Sequence, residues 1–210
     1  DGRRMSKSLG TGIDAREVVE QHGADAARYG LVKMSSTQDV RFSDGFLEEG
    51  RKLANKLWNV ARLILQQAEG VTPDARPKAL EERWIAWRLD QAQVQVDEHF
   101  AAFDFAPATS ALYHVTFDDF CDWYAEAIKP RLYDGDEDCR ATAVAALETL
   151  LSLLHPLMPH VTEEIWSHLP GRETRLIVAP WPEPADESEA GALEHVQEAA
   201  RMFRRSAGTS

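Results

Sequence analysis

The sequence predicts a mainly α protein: a bundle of about five helices over residues 45–170, with shorter pieces at both ends. Three observations predict it. From residue 44 onward apolar residues recur three and four apart, the spacing of one helix face. Breaks containing proline or glycine at 70–77, 130, 155–159 and 170–171 cut that pattern into helix-length pieces. Strand-like signals are confined to Val40 with Phe42 and to the run Leu176-Ile177-Val178, and there is no internal repeat.

Each element has its own warrant. Residues 1–12 are polar, basic and small. A helix is expected after them, with Asp14 as N-cap, Glu17 completing a capping box, and Val18, Val19, His22, Ala26 and Tyr29 at helical spacing. Val40 and Phe42 alternate with polar residues, as in a short strand or an extended connector. Leu47, Gly50, Ala54, Leu57, Trp58, Ala61 and Ile64 then mark an amphipathic helix of six turns. After Gly70, Pro73 and Pro77, a second bundle helix runs from about Ala79 to His99 on Leu80, Trp84, Leu89, Ala92 and Val96. Pro107 sits at the tolerated first turn of a third, whose face includes Leu112, Val115, Phe120, Trp123, Tyr124 and Ile128 before Pro130 ends it. An acidic loop at 134–138 leads into the Ala- and Leu-rich helix Ala141–Leu154, broken by His155-Pro156. A short helix over 159–166 closes at Pro170-Gly171, and a last one is expected over 189–205.

Composition excludes several classes. With 44% hydrophobic and 28% charged residues the chain is an ordinary globular one. At 23.5 kDa it can bury about 70% of its unfolded surface. No apolar run approaches the roughly 18 residues of a membrane span, and no apolar stretch follows the basic start as a secretory signal would. Cys121 and Cys139 lie in no metal-ligand spacing, so both are expected as free cysteines of a cytoplasmic protein, with no metal site. The net charge of −12 argues against a generic nucleic-acid or DNA binder, although local charge matters more than the sum. The chain opens Asp1-Gly2-Arg3-Arg4 without an initiator Met, and is expected to be part of a longer polypeptide.

Chemistry is concentrated in the first loop. Ser6-Lys7-Ser8 sets two hydroxyls about an ammonium, and Gly10 and Gly12 let backbone N–H groups approach a ligand. Such a loop before a helix suits an oligophosphate, although composition alone favours a solvated basic loop. The motif changes that balance. Arg4-Met5-Ser6-Lys7-Ser8 resembles the KMSKS signature of the class I aminoacyl-tRNA synthetases, with Arg for the first Lys. Leu9 to Asp14 and Gly23 to Arg28 resemble the "KMSKSxGNxIDP…YGADxLR" stretch of that family, with Thr11 for Asn and Ala15 for Pro.

Further matches point to the valine-specific branch. Gln38 to Ser43 resembles its "GQDIRFS", Ala54 to Asn59 its "ANKLWNA", Glu82 to Ile85 its "DRWIL" and Phe120 to Tyr124 its "FCDWYIE". Leu154 to Trp166 is similar to "LHPFMPFITEEIW", a run shared by several branches, and Val178 to Pro182 fits too. The isoleucine, leucine and methionine branches, and a free-standing tRNA-binding helical module, are the alternatives.

The resemblance implies the end of a Rossmann-type catalytic domain at 1–44, an α-helical anticodon-binding domain at 45–170, and a connector with the start of a C-terminal extension at 171–210. It implies Lys7 and Arg4 as catalytic contacts to ATP phosphates, within an ATP-binding loop of Arg4, Met5, Ser6, Lys7 and Ser8. ATP and Mg2+ would act with the complete catalytic domain. Valine would enter through an upstream domain absent from this chain, the fragment alone being inactive. The partner implied is tRNA, valine-specific, with Arg51, Lys52, Lys129, Arg131 and Tyr133 as exposed contacts near helix ends. Elsewhere plain structural roles are expected. Trp58, Trp84, Trp123 and Trp166 belong to the core, Asn55 bonds a helix end, Lys56 and Arg62 are solvated, and His155 caps a helix. Asp119, Asp122 and Glu126 form one acidic stripe.

Overall fold

The computed structural model describes residues 5–6, 10–35, 40–74, 76–172 and 174–183, and helices dominate them. The N-terminal pattern forms two helices, α1 (Ala15–His22) and α2 (Ala24–Lys33), where one was expected. Asp14 does cap α1, its carboxylate accepting from the Arg16 N–H at 2.8 Å. The break is at Gly23, whose φ of 89° lies in the region that favours glycine, and whose N–H closes α1 on the Val19 carbonyl. Residues 40–43 form no strand; Val40 is exposed.

The bundle is built from α3 (Asp44–Gln67), α4 (Leu80–Ala101), α5 (Phe105–His114), a π-helical segment (Val115–Tyr124), α6 (Ala125–Tyr133), α7 (Glu137–Leu154) and α8 (Pro159–Ser167). Leu47, Leu53, Leu57, Ala61 and Ile64 of α3 are fully buried, and the Ala/Leu-rich α7 supplies the centre of the core. Cys121 and Cys139 are buried free thiols, and burial pushes each up to about 12.

Three expectations change here. The chain stays helical from 105 to 133, passing through Pro130 rather than ending there. Pro130 lacks the N–H that would bond back along the helix, but Ile128 and Leu132 on either side of it are both buried and hold the turn in place. The wide π turns of 115–124 follow from the spacing of buried side chains. Val115 with Phe120 and Thr116 with Cys121 are five apart, a separation that points in different directions on an α-helix. The expected acidic loop at 134–138 is a turn at Gly135 followed by the start of α7. There Asp136 accepts from the Cys139 N–H, and Glu137 and Asp138 occupy the first turn, where the helix dipole favours acid.

The β-prone run Leu176–Val178 is one 3-10 turn. No strand pairs with it among the described residues; the Glu163 carboxylate takes the Leu176 and Ile177 N–H groups instead. Trp166 donates to the Thr174 carbonyl at 3.0 Å and Trp181 to Asp97 at 2.9 Å, tying 174–183 to α8 and α4. The helix expected over 189–205 lies outside the described residues.

Two glycines let α2 and α3 meet at backbone distance. A Cβ at Gly50 would sit 2.9 Å from Tyr29 Cδ1 and 3.1 Å from Ala26 Cα; one at Gly30 would sit 2.6 Å from Leu47 Cδ2. Tyr29 is fully buried in this crossing and its hydroxyl donates to the Glu49 carboxylate. Burial, then that carboxylate, raises the phenol pKa well above its ordinary value.

Candidate nucleotide loop and nucleic-acid interface

At the first loop, Ser6 and Thr11 pair across the turn. The Thr11 N–H donates to the Ser6 carbonyl at 3.2 Å, and the Ser6 N–H donates to Thr11 Oγ1 at 3.0 Å. Thr11, a departure from the family pattern, therefore closes the loop through both its backbone and its side chain. Met5 is half exposed and Gly10 takes a φ of 62°. Arg4, Lys7 and Ser8, the centre of the expected phosphate site, lie outside the described residues. Among those described, no cluster of His, Cys, Asp or Glu is fit to hold a metal ion.

The second candidate surface is the outer face of α3. Lys52, Asn55, Asn59, Arg62 and Gln66 recur three and four apart and are all exposed, with Trp58, 38% exposed, at the margin. Beside them a groove of about 380 Å³ opens between α3 and α8, lined by Trp58, Ala61, Arg62 and Leu65 on one wall and Ile165 and His168 on the other. Trp58 was expected in the core and is not there; Trp123 is likewise 47% exposed, while Trp166 is buried and Trp84 half-buried. Asn55 faces outward rather than into the bundle. The sequence signal for this face was available in the polar spacing 52, 55, 59, 62, 66.

Of the five expected tRNA contacts, Arg51 and Lys52 lie on α3, and Lys129, Arg131 and Tyr133 on α6. Arg51 is hydrogen-bonded to Glu48 at 3.0 Å and Lys129 to Glu126, both on exposed sides. Lys52 and Tyr133 are exposed. Arg131 is different: three carboxylates surround it. Its Nη1 donates to Glu81 and Glu82, each at 2.7 Å, and its Nε and Nη2 reach Asp136 at 2.9 Å. Burial opposes its charge, but bonds to Glu81, Asp136 and Glu82 raise its pKa above the ordinary value. A guanidinium so engaged, with three carboxylates already about it, ties α6 to α4 and to the start of α7.

The acidic stripe also resolves into pairs. Asp119 receives Arg88 Nε at 2.8 Å and Nη2 at 2.7 Å, Asp122 receives Lys56, and Glu126 receives Lys129. Burial raises the Asp119 carboxyl pKa against the pull of Arg88. Lys56 is thus not simply solvated; its ammonium also stands 3.5 Å over the Phe117 ring. His155 is the C-cap residue of α7, and its Nδ1 lies 2.8 Å from Thr162 Oγ1. Burial lowers its pKa below the ordinary value, against the pull of Glu163 and Asp25.

The chain is similar to known proteins over most of its length. Residues 82–209 match the anticodon-binding domain of tRNA ligase, and residues 1–43 match the class I tRNA synthetases for I, L, M and V. A valine–tRNA ligase of Enterococcus faecalis is 41% identical over 97% of this chain, and one of Bacillus subtilis 38% over 97%. In both cases the chain spans 24% of the relative's length. Among solved structures, a ternary complex of an Agrobacterium radiobacter LeuRS with tRNA and LeuAMS superposes with a TM-score of 0.69 at 25% identity. It covers 88% of this chain and 22% of that one.

Proposed function

This chain belongs to the class I tRNA ligases, carrying their anticodon-binding domain, and on that premise we propose its function. It is the part of a valine–tRNA ligase that supplies the ATP-phosphate loop and the helical bundle that grips tRNA. The full polypeptide activates valine with ATP to valyl adenylate and pyrophosphate, then transfers the valyl group to the terminal ribose of its tRNA, in the cytoplasm. The supporting observation is identity near 40%, running collinearly over 97% of the chain, with ligases for one amino acid.

In the first step, negative charge builds on the leaving pyrophosphate. Lys7 and Arg4 neutralise it; Mg2+ would come with the nucleotide in the complete catalytic domain and would supply further positive charge. Arg4 brings a planar fork where the family has a point charge, so it suits two phosphate oxygens at once. Met5, Ser6 and Ser8 shape the loop, and the Ser6–Thr11 pairing fixes its base. The domains divide as the sequence indicates, with 1–44 serving catalysis, 45–170 tRNA binding, and 171–210 leading towards a C-terminal extension.

For tRNA, the outer face of α3 supports the reading better than α6 does. Lys52 and Arg62 offer charge to phosphates, Asn55 and Asn59 offer amides to bases or ribose, and Trp58 offers a stacking plane. Arg62→Glu in the full-length enzyme is expected to raise the KM for tRNA by about tenfold, the cost of one phosphate contact turned repulsive, with ATP–pyrophosphate exchange unchanged. An unaltered KM would remove α3 from the interface.

The function itself is tested by amino-acid-dependent ATP–pyrophosphate exchange with the full-length polypeptide and a panel of valine, isoleucine, leucine and methionine. Valine is expected to dominate. Dominance by another member moves the protein to a sister branch, and exchange with none of them rejects the ligase reading.

A further inference from the structure

We infer that Asp25 is a positioning residue that welds the phosphate-loop segment to the tRNA-binding bundle, keeping the two steps of the reaction in register. The inference rests on the ligase reading above and deepens it.

Asp25 lies in the first turn of α2 and is 8% exposed. Its carboxylate does not serve its own helix. Oδ1 accepts from the His160 N–H at 3.1 Å and Oδ2 from the Val161 N–H at 2.7 Å, across separations of 135 and 136 residues. These are first-turn amides of α8, which have no partner within their helix. The N-cap residue of α8 is Met158, with no side-chain acceptor, and Pro159 at the first position brings no N–H. Asp25 therefore caps α8 from another helix, and places a negative charge at the positive end of its dipole.

One turn along α2, Arg28 donates to the Pro156 carbonyl at 3.0 Å, in the turn between α7 and α8. Tyr29 donates to Glu49 of α3, and Lys33 to Ser110 of α5 at 2.9 Å. One face of a ten-residue helix is thus fixed to three bundle elements, and its N-terminal end, where Asp25 sits, continues back through Gly23 and α1 to the loop closed by Ser6 and Thr11. Adenylate formation uses the loop; transfer also needs the tRNA, held by the bundle, to arrive in line with the adenylate. A misplacement of an ångström suffices to slow such a step about a hundredfold.

The test uses the full-length enzyme with Asp25→Ala, Asp25→Asn, and Asp136→Ala as a comparator that removes a cap on α7 with no link to α2. Three quantities are measured: valine-dependent ATP–pyrophosphate exchange without tRNA, the kcat of tRNA charging, and the thermal midpoint. For Asp25→Ala, exchange is expected within about twofold of wild type while the charging kcat falls by about tenfold or more. Asp25→Asn, which keeps one acceptor oxygen, is expected to recover part of the loss, and carries the test alone should the Ala variant not fold. Charging and exchange lowered in the same ratio as in Asp136→Ala, or charging left intact, overturns the inference. A wild-type enzyme without exchange on any amino acid instead overturns the ligase reading, and the inference with it.

Discussion

Arg131→Met is expected to destabilise the protein by about 3–5 kcal/mol, the cost of leaving a buried carboxylate without its partner. The carboxylate is Glu82, with no exposed surface at all. One of its oxygens takes the Lys78 and Ala79 N–H groups at 2.8 and 2.9 Å and so starts α4; the other takes Arg131. The same guanidinium reaches Asp136, which caps α7. One side chain on α6 thereby anchors the beginnings of two other helices. Methionine fills the volume of the stem but abandons Glu81, Glu82 and Asp136 to one another. Against a typical total of about 5–15 kcal/mol, that loss is a large fraction. It corresponds to a fall in thermal midpoint of about 10 °C or more for a domain of this size. The double variant with Glu82→Gln is expected to recover part of it, since the neutral amide no longer needs a cation. A fall of under about 2 °C in the single variant would mean that the network contributes nothing.

The largest effect on activity is expected at Lys7. If its ammonium meets the pyrophosphate as charge develops, Lys7→Ala in the full-length enzyme lowers valine-dependent ATP–pyrophosphate exchange by roughly 100-fold or more, the usual range for one such group. The loss belongs in kcat, because the charge it neutralises is greatest in the transition state. Lys7→Arg restores charge with a different geometry and is expected to fall between the two. Near-normal exchange by Lys7→Ala would show that Lys7 makes no contact of consequence.

The long helices were legible because their physics is local. The spacing of Leu47, Leu57, Ala61 and Ile64 places α3, and the Ala/Leu density of 141–154 places most of α7. The π segment was not legible, since pairs five apart, such as Val115 with Phe120, fit neither helical nor strand spacing. Trp58 and Trp123 misled for a related reason: an indole contributes the same apolar signal whether it faces the core or solvent. Arg131 near a helix end looked like an RNA contact because its carboxylates come from helices 50 residues upstream and across the next turn. Asp25 stands out in the sequence only as part of a motif; nothing in its neighbourhood names the amides of His160 and Val161 as its partners. For the candidate site, the motif identified the loop, and the pairing of Thr11 with Ser6 gives its unusual threonine a role.

The crossing of α2 on α3 bears on how such chains can be shuffled by descent. The family match that carries the loop ends at residue 43, an inviting place for recombination between related genes. Yet a join there would set one parent's Ala26 and Tyr29 against the other's Glu49 and Gly50, at a crossing where Gly50 leaves no room for a methyl group. Hybrids are expected to fold where both parents keep glycine at position 50, and to be strained where either carries a side chain there. Helix α2 is therefore bound to be inherited with the bundle, whatever the ancestry of the loop in front of it.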